Sequence, residues 1–219
     1  VADGLGSIPC VSIQPTITGK NHVRTPFYPL AHDRVTCVGA EVALVIAKTA
    51  ALAEDAAERI VVEYEPLPVV PTLEAAIEPG APLVWAEAPG NVCFHHEMGS
   101  REETARAFAE ASHVVRARIR NQRLIPNPME VRGAIGRHEP GNDEYTIWMS
   151  SQTPHIMRLL ITAFVLGIPE HKVRVISPDV GGAFGSKIFL YTEWVLVMLA
   201  SKKLGGRPVK WVESRRENF

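Results

Sequence analysis

Cysteine is scarce in this sequence. Cys10, Cys37 and Cys93 stand far apart among 219 residues, with no C-x-x-C pair. An odd, scattered set of three supplies neither a disulfide framework nor a zinc ribbon, and a reducing, cytoplasmic setting is expected. A long hydrophobic run is also missing. The best stretch, Val195 to Ala200 with its approach from Ile188, is broken by Thr192 and Glu193 and is too short to cross a bilayer. Charge of one sign is not in excess: 23 Lys and Arg face 24 Asp and Glu. Composition therefore gives no electrostatic case for nucleic acid or a membrane surface. With 46% hydrophobic and 21% charged residues, the chain has the make-up of an ordinary globular protein. Its length allows roughly 70% of the unfolded surface to be buried, so no disulfide or metal staple is needed.

Periodicity divides the sequence into two regions. Residues 1–30 read as loop. Val35–Val38, Val42–Ala47 and Ile60–Tyr64 are rich in β-branched residues and read as strands. Thr49 is placed to cap a helix running from Ala50 to Arg59. Residues 1–78 are thus expected to form a small α/β domain, and the Pro- and Gly-rich stretch 79–99 a linker. A second unit over 100–219 opens with Ser100-Arg101-Glu102-Glu103, a capping box, where the Ser hydroxyl and Glu carboxylate satisfy orphan helix amides. A strand over 114–119 and a strand pair over 133–138 and 145–150 are expected next.

A helix then follows, with Thr153 as cap, Pro154 at its first position and Gly167 past its end. Ile156, Leu159, Leu160, Ala163 and Phe164 are expected to be its buried face. A strand at 172–177, a glycine loop at 181–187, an apolar helix at 189–204 stopped by Gly205 and Gly206, and a strand at 209–212 complete the order. The fold class is α+β. The helix at 189–204 is apolar nearly all round and is expected to need covering by parts of a longer chain. The opening Val1 and the closing Glu217-Asn218-Phe219 fit a piece of something longer.

The strand, glycine loop and helix over 172–204 carry the strongest chemical signal. Glycines allow close approach of the backbone to a ligand, and a following helix N-terminus would favour an anion. The loop is not a P-loop, because Ser186 precedes Lys187 and Ile188 follows it, and G-x-G-x-x-G also fails. A tight turn packed on a buried helix remains the plain alternative. Phe184 within the loop is either a core anchor or a lid on a ligand. Gln152, at a strand-to-helix junction, can donate or accept, although such residues are usually cap-adjacent polar loop. His155 reads as a surface or packing residue. Cys93, His95 and His96 cluster, but adjacent histidines do not readily face one ion and no complementary ligand pair stands nearby. No nucleophile–base signature is found.

Several stretches resemble the molybdenum-hydroxylase family, which includes xanthine dehydrogenase, aldehyde oxidase and aerobic carbon monoxide dehydrogenase. They are Ser151-Gln152-Thr153-Pro154-His155, Leu166-Gly167-Ile168-Pro169, and the run from Lys172 through Gly181-Gly182-Ala183-Phe184-Gly185-Ser186-Lys187. The likeness is to the large, molybdopterin-binding subunit. Upstream, Ala53-Glu54-Asp55-Ala56-Ala57 and Val62-Glu63-Tyr64-Glu65-Pro66-Leu67-Pro68 look like its α/β hammerhead domain, and Met129-Glu130-Val131-Arg132 fits as well.

The resemblance implies a molybdenum–molybdopterin cofactor. Gln152 would hydrogen-bond the apical oxo ligand, and Gly182, Ala183, Phe184 and Gly185 would line the metal and pterin. Gln152 and Phe184 would be the residues nearest the metal. It also implies FAD and [2Fe-2S] clusters on partner subunits, a medium FAD-binding one and a small iron–sulfur one, and a small-molecule substrate oxidised with water as oxygen donor.

Two departures stand out. Ala183 replaces a glycine found in many relatives, at a cost on the order of 1 kcal/mol if the position needs positive φ. Ile188 stands where the purine-oxidising branch carries a substrate-contacting Glu. Ser186-Lys187-Ile188-Phe189 is closer to the carbon-monoxide-dehydrogenase-like branch, which generally uses the cytosine dinucleotide form of the cofactor. No catalytic residue falls in this stretch. The base and substrate-selecting loop would lie beyond Phe219. The rival reading is a truncated, non-catalytic fragment acting only as a binding or assembly module.

Overall fold

The computed structural model describes Val23, residues 25–122 and residues 124–219; the loop expected over 1–30 and Cys10 fall largely or wholly outside these. The ordered centre is a four-stranded sheet. Strand β1 (Gly133–Glu139) and β2 (Glu144–Met149) form an antiparallel hairpin, as their alternating pattern predicts. The turn between them places Asp143 at φ 51. Strand β3 (Val173–Ile176) joins β2 in parallel, and β4 (Val209–Val212) joins β1 antiparallel, giving the order β3-β2-β1-β4.

Inward-facing Ala134, Tyr145, Ile147 and Met149 alternate with outward Ile135, Arg137 and Trp148. This period of two puts one face of the sheet against helices. The helix Thr192–Lys203 lies across that face and buries Trp194, Val195, Val197, Met198 and Ala200. It approaches β1 so closely that a Cβ on Gly136 would come within 2.6 Å of the Val197 carbonyl carbon and the Met198 nitrogen. The helix is therefore covered by this chain itself, contrary to the expectation that it needs outside neighbours. It ends at Gly205 (φ 67) and Gly206 (φ 92), whose amides return to Lys202 and Ser201 carbonyls.

The helix Pro154–Leu160 continues as a wider π-helical segment, Ile161–Leu166, before Gly167 ends it in the left-handed region. Its buried side is Met157, Leu160, Ile161, Thr162 and Val165. Of the face expected to be buried, only Leu160 is; Ile156, Leu159, Ala163 and Phe164 are exposed. The sequence is apolar on two sides there, and the π-helical turn shifts which side meets the sheet. Thr153 holds the cap position without a side-chain cap bond; its hydroxyl instead donates to the Ile188 carbonyl at 3.5 Å.

The first half of the chain departs more. Thr49 caps Ala50–Ala57 as expected, accepting from Leu52 N. Ser100 caps Arg101–Glu110, accepting from Glu103 N. A short helix, Leu73–Ala76, capped by Thr72, was not anticipated. The strands expected over 35–38, 42–47, 60–64 and 114–119 form no ladder among the described residues. β-Branched composition reports suitability for a pleated, half-buried surface; a strand forms only where a partner edge supplies the bonds. This half is tied to the sheet unit at Thr192, whose hydroxyl donates to Glu41 Oε1 at 2.7 Å.

Candidate functional site

The glycine loop 181–187 leaves β3 through Ser177, whose hydroxyl donates to the Ser151 carbonyl at 2.6 Å. It packs beside residues 150–153, which leave β2. The Gln152 main-chain nitrogen donates to the Lys187 carbonyl at 3.1 Å. Its side-chain oxygen Oε1 accepts from the amides of Gly185 at 3.1 Å and Lys187 at 3.2 Å. Two N–H donors converging on one atom require that atom to be the oxygen, so the amide orientation is fixed. Nε2 is then turned away as a donor, on a residue exposed at the surface.

Five of the seven loop amides are spent inside the protein. Gly181 donates to Glu130, Gly182 to Val180, Gly185 and Lys187 to Gln152, and Ser186 to Ala183. Among the described residues, the N–H groups of Ala183 and Phe184 have no partner. Two adjacent free amides, next to a side-chain amide donor, suit a group rich in anionic oxygen.

Phe184 adopts φ 53, between Gly182 and Gly185, both at φ 92. A non-glycine residue there costs roughly 1–2 kcal/mol and commonly marks a functional turn. Phe184 is 76% exposed, so it is not the core anchor that is one of its two sequence readings. A Cβ on Gly182 would sit 3.2 Å from the Phe184 ring and 3.3 Å from Pro128, so the glycine leaves room for both. Ala183 is buried and outside the positive-φ group. The penalty expected for it therefore does not arise.

The helix after the loop begins at Thr192 rather than Phe189, and Thr192 is buried against Glu41. That helix N-terminus is therefore not what the loop offers to a ligand.

Beneath the loop lie two ion pairs that sequence reading did not assign a role, one buried (Arg132–Glu213) and one joining a buried lysine to a half-exposed carboxylate (Lys187–Glu130). Lys187 is fully buried, with Nζ 2.6 Å from Glu130 Oε2 and 3.0 Å from the Glu130 carbonyl. Burial pushes the Glu130 carboxyl up, but the bonds from Lys187 and the Gly181 amide outweigh it and hold the carboxyl below its ordinary range. Arg132 pairs with Glu213 through Nε at 2.7 Å and through Nη2, and its guanidinium lies 3.5 Å from the Tyr191 ring centroid. The Tyr191 hydroxyl in turn donates to the Ser186 carbonyl. A lysine entering an apolar run signals a buried charge needing a partner. Nothing in the sequence names a partner 57 positions away.

The remaining candidates do not join the site. His155 is exposed, and His95 bonds Glu97 at 3.1 Å on the surface. No group of three or more His, Cys, Asp or Glu among the described residues could hold a metal ion. A groove of about 360 Å³ lies on the open sheet face, lined by Arg137, Trp148, His171 and Arg174 among others, and shares no residue with the loop. No helix among the described residues is long and apolar enough to cross a membrane.

Comparison with known proteins identifies the family and the fold. Residues 84–219 match the family model for the molybdopterin cofactor-binding domain. Residues 10–68 match the aldehyde oxidase and xanthine dehydrogenase a/b hammerhead domain. The carbon monoxide dehydrogenase large chain of Afipia carboxidovorans is 38% identical over 202 residues, covering 87% of this chain and 25% of that one. The nicotine 6-hydroxylase large subunit of Paenarthrobacter nicotinovorans is 39% identical over 210 residues, covering 96% of this chain and 25% of that one. Quinoline 2-oxidoreductase from Pseudomonas putida 86 superposes with a TM-score of 0.78 at 35% identity, over 100% of this chain and 28% of that one. The chain thus spans about a quarter of the length of the curated relatives it matches. With the cofactor-domain model matched over more than half its residues, this chain belongs to the molybdopterin cofactor-binding family, in a mixed α and β fold preceded by a hammerhead-type segment.

Proposed function

We propose that this chain is the N-proximal part of the large subunit of a molybdopterin-dependent oxidoreductase, and that loop 181–187 with Gln152 forms one wall of its cofactor site. The observation that carries the reading is the pair of unpartnered amides at Ala183 and Phe184 beside the outward-turned Gln152 Nε2. Gln152 donates from Nε2 to an oxygen of the cofactor. Ala183 and Phe184 donate from their main-chain nitrogens. Gly182 and Gly185 keep the backbone low enough for close approach, and the exposed Phe184 ring shields the guest from water. Gln152 and Phe184 would hold the molybdenum end of the cofactor. When bound, the molybdenum–pterin group supplies the redox chemistry, oxidising a small substrate with water as oxygen source. This stretch contributes binding and orientation and no general base.

The finer assignments rest on the same reading. The hammerhead-type unit occupies 1–78, the linker 79–99 and the cofactor-domain start 100–219. Ile188 and the Ser186-Lys187-Ile188-Phe189 wording favour the carbon-monoxide-dehydrogenase-like branch with a cytosine dinucleotide cofactor. FAD and [2Fe-2S] centres sit on a medium and a small partner subunit, and the complex works in the cytoplasm.

Elemental and nucleotide analysis of the purified full-length subunit tests this. About one molybdenum per subunit is expected, with cytidine monophosphate released on acid hydrolysis. Absence of molybdenum from subunit made in a cofactor-competent host sinks the cofactor reading. Molybdenum with no cytidine nucleotide sinks the branch assignment alone.

A further inference from the structure

We infer that Glu130 is the positioning residue of the cofactor loop, clamping its first and last residues so that the strained tip at Phe184 stays fixed; this rests on the cofactor reading above. A single carboxylate oxygen, Glu130 Oε2, accepts from Gly181 N at 2.8 Å and from Lys187 Nζ at 2.6 Å. The main chain of Glu130 repeats both links. Its nitrogen donates to the Gly181 carbonyl at 3.3 Å, and its carbonyl accepts from Lys187 Nζ at 3.0 Å. Gly181 is glycine for the same reason, since a Cβ there would lie 2.7 Å from the Glu130 Cβ. The loop is therefore an arch whose two feet stand on one residue.

Between the feet, the backbone holds φ 92, 53 and 92 at Gly182, Phe184 and Gly185. A conformation of that kind persists only where its surroundings over-determine it. Gln152 pins the descending limb through Gly185 and Lys187, but the ascending limb at Gly181 is held by Glu130. The pairing also settles charge. Lys187 is fully buried, and an ionised Glu130 neutralises it, so what the arch offers outward is neutral N–H donors rather than a cation. Rigid donors aimed before the guest arrives are what a preorganised site requires.

The test uses the full-length large subunit produced without cofactor, followed by amide hydrogen exchange over a peptide covering 179–190. Glu130→Ala, which removes the accepting oxygen, is expected to raise exchange in that peptide about tenfold or more, while the β1–β2 peptide over 133–149 stays as in wild type. The double variant Glu130→Ala with Lys187→Met removes the unpaired buried charge, and is expected to regain most of the wild-type Tm while the loop still exchanges about tenfold faster. It also carries the test if the single variant fails to fold. Loop exchange within about twofold of wild type in either variant overturns the inference. So does a double variant that recovers loop protection together with Tm, since Glu130 would then only be neutralising Lys187. Because cofactor is absent throughout, this outcome is separate from the molybdenum analysis that decides the cofactor reading.

Discussion

The side-chain oxygen of Gln152 lies 3.1 Å from the main-chain nitrogen of Gly185 and accepts its hydrogen bond. This one contact fixes which end of the carboxamide faces the loop and which end is left to donate. Gln152→Glu keeps an acceptor toward Gly185 and Lys187 and removes the outward donor. In the full-length enzyme it is expected to keep its molybdenum while turnover falls about tenfold or more. Gln152→Ala is expected to lose about 1 kcal/mol of stability, since Gly185 and Lys187 N–H turn to water, and to lose turnover without unfolding. Normal turnover at full metal content in both variants would remove Gln152 from the site.

Phe184 and Ala183 should respond oppositely to glycine. Phe184 holds φ 53 and is largely exposed, so Phe184→Gly relieves backbone strain and loses little burial. Stability is expected to rise by up to about 1 kcal/mol while cofactor occupancy falls. Ala183 is buried outside the positive-φ group, so Ala183→Gly is expected to cost about 0.5–1 kcal/mol. Urea unfolding of the full-length subunit reads both. A stabilised Ala183→Gly would show that the third loop position is strained after all.

Acid sensitivity should be set by the carboxylates under the loop. Burial raises the Glu213 carboxyl, but its bonds with Arg132 hold it below the ordinary 4.5. The folded value lies beneath the unfolded one, so this stabilisation is complete above pH 4.5 and drains as pH falls through the folded value. Glu213→Gln is expected to lose about 3–5 kcal/mol at pH 7, because Arg132 is left buried and unpaired. Its stability should also depend less on pH below that range.

Glu193 runs the other way. Burial raises its carboxyl above 4.5, and Glu41 adds to this while Arg132 opposes it. Its cost appears as pH rises through the folded value, so Glu193→Gln is expected to equal or exceed wild-type stability at pH 7. Unfolding curves at a series of pH values separate the two signs.

Gly136 tests the contact that organises the core. A Cβ there would meet Val197 and Met198 backbone at 2.6 Å, and backbone in a helix cannot swing aside. Gly136→Ala is expected to cost about 1–3 kcal/mol by forcing β1 and the helix Thr192–Lys203 apart. A change under about 0.5 kcal/mol in thermal or urea unfolding would mean that the two elements can separate freely.

The sequence by itself determined the local elements and their caps. Thr49 and Ser100 fix helix starts, the alternation in 133–149 fixes a hairpin, and Gly167, Gly205 and Gly206 fix helix ends. These are readable because each depends on a few neighbouring residues. It also marked the loop 181–187 by its glycines, with a plain tight turn as the alternative, while Gln152 was singled out by the resemblance to the molybdenum hydroxylases.

Tertiary structure alone decided the rest. β-Branched runs at 42–47 and 60–64 carry strand character but no partner edge among the described residues, and pairing is a non-local event. Which apolar side of the helix after Thr153 is buried depended on a π-helical turn and on the sheet it meets. Above all, Glu130 became the foot of the loop, and Phe184 its exposed tip, only when residues more than fifty positions apart were brought together. Long-range charge pairing and the backbone angles it holds leave no local pattern to read.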